Sequence, residues 1–165
     1  MNGEIQNIPE GSHTITPNMI VQGADDAIEF YKKIFGAKVR KIFRQSDGKT
    51  VGHAELEIGD SVLMLSDEVP MMNVLSPKSP GGGTSISLYM FVDDVDDVFN
   101  KAVSAGATVI MPLMDTFWGD RCGNITDPFG HRWTLATHKK DVSEEEIKKI
   151  VSFVPASKGN ICRES

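Results

Sequence analysis

The chain reads Met19-Ile20-Val21 near its start and Met90-Phe91-Val92 near its middle, and the segments after these two stretches decide the fold. Each stretch leads through paired aspartates and a helix-like run to a Gly-Ala pair, at Asp25-Asp26 and Gly36-Ala37 in the first copy and at Asp96-Asp97 and Gly106-Ala107 in the second. The copies are about 70 residues apart, which is too long a period and too few copies for a solenoid. The sequence therefore predicts two paired modules, with a cleft where corresponding positions meet.

The first copy predicts a strand, a helix and three further strands. Ile28, Tyr31 and Phe35 lie at helical spacing, and Gly36 stops the helix predicted over 24–35. Asp47-Gly48 is typical of a hairpin turn, which here joins strands over 38–45 and 50–58. Strands over 13–21 and 61–66 complete a β-α-β-β-β module.

The second copy repeats this order, with strands over 85–92, 108–111 and 132–137, a helix over 95–104, and a loop over 117–126 that runs into a strand. Ser143 and Glu146 form a capping box that predicts a short C-terminal helix. We expect an α+β fold of paired βαβββ modules whose curled sheets surround a cleft. Its parts are a flexible leader (1–12), a first module (13–69), a Pro/Gly linker (70–84), a second module (85–139) and a C-terminal helix with tail (140–165).

Composition excludes several classes of protein. The net charge of the 165 residues is −6, so the basic surface of a nucleic-acid binder is missing. No apolar run approaches the 18 residues of a membrane span, and the N-terminal residues lack the pattern of a signal peptide. Two cysteines, Cys122 and Cys162, are too few for a disulfide framework. We expect a cytoplasmic protein that binds neither nucleic acid nor membranes.

Two motifs resemble the vicinal oxygen chelate superfamily, which includes glyoxalase I, bleomycin-resistance proteins, methylmalonyl-CoA epimerase and extradiol dioxygenases. Its first helix is similar to the run from Asp25 to Ala37, and its closing turn to Asp127-Pro128-Phe129-Gly130-His131-Arg132-Trp133. The mostly uncharacterised PhnB-like branch is similar at Trp118-Gly119-Asp120-Arg121 and at His53-Ala54-Glu55-Leu56. The resemblance covers about residues 13–140 and implies paired βαβββ modules and a homodimer.

The resemblance also implies a divalent-metal site with four ligands, on the first and last strands of each module. In this sequence the four positions fall on Thr16, Met64, Ser87 and Thr134. Hydroxyl groups are weak neutral donors, and a thioether is soft and prefers Cu(I). We therefore expect no metal and no other cofactor, which puts glyoxalase, epimerase and dioxygenase chemistry in doubt.

Alternation along the strands sorts their side chains into a helix-facing side and a cleft side. The residues predicted to line the cleft are Thr16, Asn18, His53, Glu55, Met64, Ser87, Tyr89 and Thr134, with Trp118 and Arg121 from a loop at its mouth. Tryptophan offers a flat surface, and arginine can grip a carboxylate or a phosphate. Simpler interpretations stay open: Trp118 in core or dimer packing, and Arg121 paired with Asp120 or Asp127.

Histidines and linker methionines supply further candidates. His53 is the best acid/base candidate because its pKa lies near neutrality, while a hydrogen-bonded sheet histidine paired with Glu55 is the alternative. We expect His131 to be structural and His138 to lie on the surface. Met71 and Met72 of the linker are expected to pack over the cleft or across a dimer contact.

Three functions are compatible with this sequence. The first is metal-independent binding of a small organic ligand. The second is a lyase, isomerase or dioxygenase-like enzyme that uses His53 and Glu55 as acid/base groups or as an off-pattern metal site. The third is a regulatory or interaction module that works through the linker and the C-terminal helix. Fold resemblance alone does not choose among them.

Overall fold

The computed structural model describes residues 7–9 and 11–153, with side chains as far as Ile150. The first module runs through β1 (Asn18–Val21), α1 (Ala24–Phe35), β2 (Lys38–Arg44), β3 (Val51–Ile58) and β4 (Ser61–Asp67). The second module runs through β5 (Ser87–Phe91), α2 (Val95–Ser104), β6 (Thr108–Asp115), β7 (Asp120–Thr126) and β8 (Arg132–His138). Helix α3 (Glu144–Phe153) comes last. The α+β fold with paired βαβββ modules is confirmed.

The two modules form two four-stranded sheets with the same topology. Their strand orders are β1-β4-β3-β2 and β5-β8-β7-β6. In each sheet the first strand runs parallel to the last, and the other neighbours are antiparallel. The sequence repeat is therefore also a repeat of strand topology, and each strand of the first module corresponds to one strand of the second.

Local chemistry explains where the two repeated helices begin and end. The side chain of Asp94 accepts a hydrogen bond from the backbone N–H of Asp97 at 3.1 Å, which caps the start of α2. Gly36 ends α1 with a positive φ of 66°, a conformation that glycine adopts without a steric penalty. Both helices carry aspartates in the first turn and lysine in the last, which suits the helix dipole.

An aromatic cluster around Tyr31 joins the two modules. The Tyr31 ring lies 5.7 Å from that of Phe35 in its own helix and 5.6 Å from that of Trp133 in the second module. Tyr31 is fully buried, and its hydroxyl donates to Asp127 Oδ2 at 2.7 Å. Burial, together with the neighbouring Asp127, raises the pKa of Tyr31 well above its ordinary value, so the hydroxyl stays a donor.

The carboxylate of Asp127 is the polar centre of this junction. Besides the bond from Tyr31, it accepts hydrogen bonds from Trp133 Nε1 at 2.8 Å and from the backbone N–H groups of Phe129 and His131 at 2.9 Å each. The His131 imidazole also contacts the carbonyl oxygen of Ile20 on β1, at 2.9 Å. The Asp-Pro-Phe-Gly turn thus closes its own module and binds it to the first one, and His131 has the structural position expected of it.

The linker is anchored to the first module by Glu68. This carboxylate accepts hydrogen bonds from Gln22 Nε2 and from the backbone N–H of Ser76, both at 2.9 Å, and from the Ser79 hydroxyl. These bonds, that of Ser79 foremost, lower the pKa of Glu68 to about 2. The linker therefore has a defined path although it has no regular strand.

Several element boundaries differ from the predicted ones. Strand β1 starts at Asn18, because Pro17 accepts a hydrogen bond from the Met64 N–H at 2.9 Å but has no N–H of its own to continue the ladder. Strand β6 extends to Asp115, through register irregularities opposite β7, whereas the sequence predicts a strand that ends at 111. The predicted leader falls largely on residues outside the described part of the chain, and the predicted tail with Cys162 lies outside it entirely.

The C-terminal helix begins as its capping box predicts. The Ser143 hydroxyl accepts from the backbone N–H of Glu146 at 3.3 Å, and the Glu146 carboxylate accepts from the backbone N–H of Ser143 at 3.0 Å. Among the described residues, no helix is long and apolar enough to cross a membrane.

Candidate functional site

Each sheet has one face covered by a helix of its own module and one open face. On β7, a Cβ added to Gly123 would lie 2.6 Å from the Phe99 ring of α2, so Gly123 faces the helix. By strand alternation its neighbours Cys122 and Asn124 face the open side. The same argument places Ala54 and Leu56, both fully buried, on the helix side of β3. His53 and Glu55 therefore lie on the open face.

The open face of the first sheet carries a polar row. Register places Asn18 beside Met64, Met64 beside Glu55, and Glu55 beside Lys41. Glu55 Oε1 lies 3.5 Å from both His53 Nε2 and Lys41 Nζ. Burial raises the pKa of the Glu55 carboxyl, but the contact with His53 and the charge of Lys41 outweigh it, and the pKa falls below its ordinary value. Glu55 is therefore an ionised partner of two basic groups.

The open face of the second sheet carries the corresponding row, Tyr89, Thr134 and Asn124, at matched positions of β5, β8 and β7. Tyr89 and Phe91 are both exposed, and their rings lie 5.0 Å apart along the edge strand β5. The side-chain oxygen Oδ1 of Asn124 is buried and has no hydrogen-bond partner. An unpaired buried acceptor is costly, and it is suited to a ligand that brings a donor.

Asp120 is the centre of a hydrogen-bond network at one end of this face. Its Oδ2 accepts from the Tyr89 hydroxyl and from Trp118 Nε1, both at 3.0 Å. Its Oδ1 lies 2.8 Å from His138 Nδ1, and His138 Nε2 lies 3.1 Å from Asp141 Oδ1. Three donors from three different segments thus converge on one buried carboxylate.

The electrostatics of this network favour a charged pair. Burial raises the pKa of Asp120, but the hydrogen bonds from His138, Tyr89 and Trp118 outweigh it and lower the pKa overall. The hydrogen bonds to Asp120 and Asp141 raise the pKa of His138 above its ordinary value. Burial and the hydrogen bond to Asp120 raise the pKa of Tyr89 to about 12, so Tyr89 is a donor and not a base.

The charged pair makes stability depend on pH, and we expect His138→Asn to destabilise the protein more at pH 6 than at pH 9. Because the folded pKa of His138 is raised, its contribution is complete below the unfolded value near 6.5 and is lost as pH rises through the folded value. Because the pKa of Asp120 is lowered, the stabilisation that its carboxylate contributes is lost only as pH falls below about 4. Urea unfolding of both proteins at the two pH values measures this, and an equal loss at both contradicts it.

Trp118 lies in the loop between β6 and β7, partly exposed, with its ring 4.8 Å from that of Phe117. The loop is fixed by Gly119, whose carbonyl oxygen accepts from the backbone N–H groups of Lys139 at 2.9 Å and Lys140 at 3.1 Å. Trp118 is thus held beside the open face of the second sheet by Asp120 and by the segment after β8.

Arg121 lies on the helix side of β7. It binds the Asp96 carboxylate of α2 through two hydrogen bonds of 2.7 Å and reaches Asp115 at 3.3 Å. These contacts, with Asp96 foremost, raise its pKa. The structure therefore places Arg121 in an ion-pair cluster away from the face that carries Tyr89, and its partners are neither Asp120 nor Asp127.

The four positions implied as metal ligands carry no carboxylate or imidazole group, and they are divided between the two modules. Thr16 precedes β1, and its hydroxyl donates to the carbonyl oxygen of His13. Met64 lies on the first sheet, and Ser87 and Thr134 lie on the second. Thioether and neutral hydroxyl groups remain poor ligands for divalent metals, and no group of three or more His, Cys, Asp or Glu in the described part of the chain could hold a metal ion.

The two linker methionines are exposed. Met71 and Met72 lie in a single 3-10 turn, Pro70–Met72, with 99% and 74% of their surface accessible. Because both side chains are exposed, they do not pack over the cleft within one chain, and packing across a dimer contact stays a prediction.

The sequence did not predict Asn124, Asp120 or His138 as part of the site, although His138 is exposed as expected. Alternation on β8 could have found His138, since it shares the parity of Thr134 and so the same face. The sequence predicts a loop that contains Asp120 and Asn124, because the break of the strand pattern at Trp118-Gly119 hides the start of β7 at Asp120.

Comparison with known proteins gives the family. The model of the Glyoxalase/Bleomycin resistance protein/Dioxygenase superfamily matches residues 12–135, about three quarters of the chain. The chain belongs to this superfamily. The Mycobacterium tuberculosis protein Rv0887c is 40% identical over 141 residues, which cover 84% of this chain and 82% of that protein.

Two solved structures share the fold of this chain. Protein PA1353 from Pseudomonas aeruginosa is 26% identical with a TM-score of 0.63, over 78% of this chain and all of that one. A PhnB protein from Bacillus cereus is 24% identical with a TM-score of 0.60, over 76% of this chain and 99% of that one, and this likeness concerns the fold. The predicted resemblance to the superfamily and to PhnB-like proteins is confirmed.

Proposed function

We propose that this protein binds a small organic ligand, without a metal ion, on the open face of its second sheet. The observation that carries the proposal is the combination of exposed aromatic rings with a buried, unpaired acceptor on one face. Tyr89, Phe91 and Trp118 supply apolar surface, and a shift of the Asn124 side chain would let its unpaired Oδ1 accept a hydrogen bond from a donor of the ligand. Largely apolar walls with a few placed polar groups are typical of ligand sites.

The second part of the proposal is a homodimer in which a partner covers these open faces. Phe43 on the first sheet and Phe91 on the second are each about 60% exposed. Exposed apolar surface on two neighbouring sheets favours an interface. In such a dimer, Asn18 and Met64 of the first sheet, together with Ser87 and Thr134 of the second, would share a cleft with the ligand. Thr16 and Arg121 are not part of the proposed site, because Thr16 bonds to His13 before β1 and Arg121 pairs with Asp96 on the helix side of β7.

The proposal is tested by a thermal-shift screen of aromatic compounds, followed by calorimetry on the best binder. A ligand that binds only the native state raises the melting temperature. We expect Trp118→Ala to weaken binding about tenfold or more, since a buried aromatic contact is worth about 1.5–2 kcal/mol. Met71→Ala, which removes an exposed apolar side chain from the linker, is the matched control and should bind as the parent does. The lack of any binder that is sensitive to Trp118→Ala refutes the proposal.

An enzyme that uses His53 and Glu55 is the second candidate, favoured by the contact between these residues on the open face of the first sheet. His53→Ala separates the candidates. A binding protein should keep its affinity within a few-fold, whereas loss of a general acid or base lowers turnover about 10²–10⁴-fold. A cytoplasmic location is part of the same proposal, supported by Cys122, a buried free thiol.

A further inference from the structure

A groove between the two modules forms a cavity next to the Trp118 site, and Tyr89 and Phe91 line both. Its volume is about 930 Å³, within the range of small-molecule sites. One wall is the end of α1 with Ile34 and Phe35, and the other is the edge strand β5 with Leu88 and Met90. Trp133 also lines it, with its ring 4.7 Å from that of Phe35. The walls are therefore apolar and partly aromatic.

The rim of this groove is acidic. Four aspartates line it, Asp60, Asp93, Asp94 and Asp97, and no Lys, Arg or His does so among the described residues. Asp94 caps α2 and Asp97 pairs with Lys101 at 2.6 Å, so part of their charge is already offset. Asp60 and Asp93 are exposed at the rim, and neither forms a salt bridge with a described basic residue. These two carboxylates can therefore attract a cation.

We propose that this groove binds an organic cation with an apolar body, such as an arylalkylamine. An apolar wall next to water strengthens the attraction between a carboxylate and an ammonium group relative to bulk water. The partly exposed ring of Phe35 suits both an apolar body and a nearby cation. The inference rests on the proposed function, because it extends the ligand-binding region past Tyr89 and Phe91 into the groove and names a ligand class.

Three probes with one apolar body and different head groups test the charge preference: 4-phenylbutylamine, 4-phenylbutanol and 4-phenylbutyrate. At pH 7 and low salt we expect the amine to bind about tenfold more tightly than the alcohol, and the acid to bind more weakly than both. The preference for the amine should shrink between about 20 and 500 mM NaCl, because salt screens exposed charges. Calorimetry or ligand-observed NMR provides the dissociation constants.

The double variant Asp60→Asn/Asp93→Asn locates the effect. We expect it to remove the preference for the amine and to leave binding of the alcohol within about twofold. Glu145→Gln, which neutralises an exposed carboxylate of α3 outside the groove, is the matched control and should keep the preference. Circular dichroism and melting temperature verify that the variants stay folded.

The outcomes separate the inference from the proposed function. If the amine fails to bind, binds no better than the alcohol, or keeps its advantage in the double variant, the inference is overturned. The proposed function then still stands if an aromatic ligand binds in a manner sensitive to Trp118→Ala. Amine binding that depends on Asp60 and Asp93 but not on Trp118 supports the groove, and the site on the second sheet is then overturned only if no aromatic ligand binds in a manner sensitive to Trp118→Ala.

Discussion

Asp127→Ala is expected to lower the free energy of unfolding by about 3–5 kcal/mol, the cost of breaking a buried, charged hydrogen-bond centre. The substitution removes the acceptor of four hydrogen bonds at once. Two of the donors, Tyr31 and Trp133, are buried side chains and cannot turn to water. Because Tyr31 and Trp133 lie in different modules, the loss weakens both the closing turn and the contact between modules.

Urea unfolding measured by circular dichroism gives this loss, with two further variants as references. Tyr31→Phe removes one donor and keeps the ring, so it should cost about 1–2 kcal/mol. Asp115→Ala removes an aspartate that is largely exposed and paired only at 3.3 Å with Arg121, so it should cost less than about 1 kcal/mol. A loss for Asp127→Ala no larger than that for Asp115→Ala would show that the Asp127 centre does not hold the modules together.

Gly119→Ala is expected to destabilise the protein by about 3 kcal/mol and to displace Trp118. Gly119 has a φ of +102°, and an added Cβ would lie 2.0 Å from the carbonyl oxygen of Lys140. A backbone atom cannot move aside as the end of a side chain can, so the loop must separate from the segment after β8. This costs the strain of a positive φ and the two hydrogen bonds to the Gly119 carbonyl.

The matched control for this variant is Gly48→Ala. Gly48 also has a positive φ, of 68°, but an added Cβ would meet nothing within 4 Å. Gly48→Ala should therefore lower the free energy of unfolding by only about 1 kcal/mol, the cost of a positive φ in a residue that has a Cβ. The difference in the free energy of unfolding between the two variants gives the cost of the close contact with the Lys140 carbonyl oxygen. Tryptophan fluorescence of Gly119→Ala should also report greater exposure of Trp118, and equal stability of both variants would contradict the docking of this loop.

Much of the fold arises from short-range patterns that one sequence displays. The repeat, the helical spacing of Tyr31 and Phe35, the Asp47-Gly48 turn and the Ser143 capping box each act over a few residues, so they could be recognised without a structure. Strand alternation likewise assigned His53 and Tyr89 to the open faces. The ends of strands depend on pairing between strands as well as on local pattern. Strand β6 continues past Met111 because β7 pairs with it.

The sequence by itself determined the two βαβββ modules and the face of the sheet on which side chains such as His53 and Tyr89 lie. Only the tertiary structure decided which of those side chains meet. Tyr31 and Asp127, which are hydrogen-bonded, are 96 positions apart in the chain. Arg121 on β7 pairs with Asp96 on α2, and the register of β7 and β8 brings His138 next to Asp120. The groove likewise exists only because two modules dock. Periodicity is a local property of a chain, whereas partners of this kind depend on register and docking between distant segments.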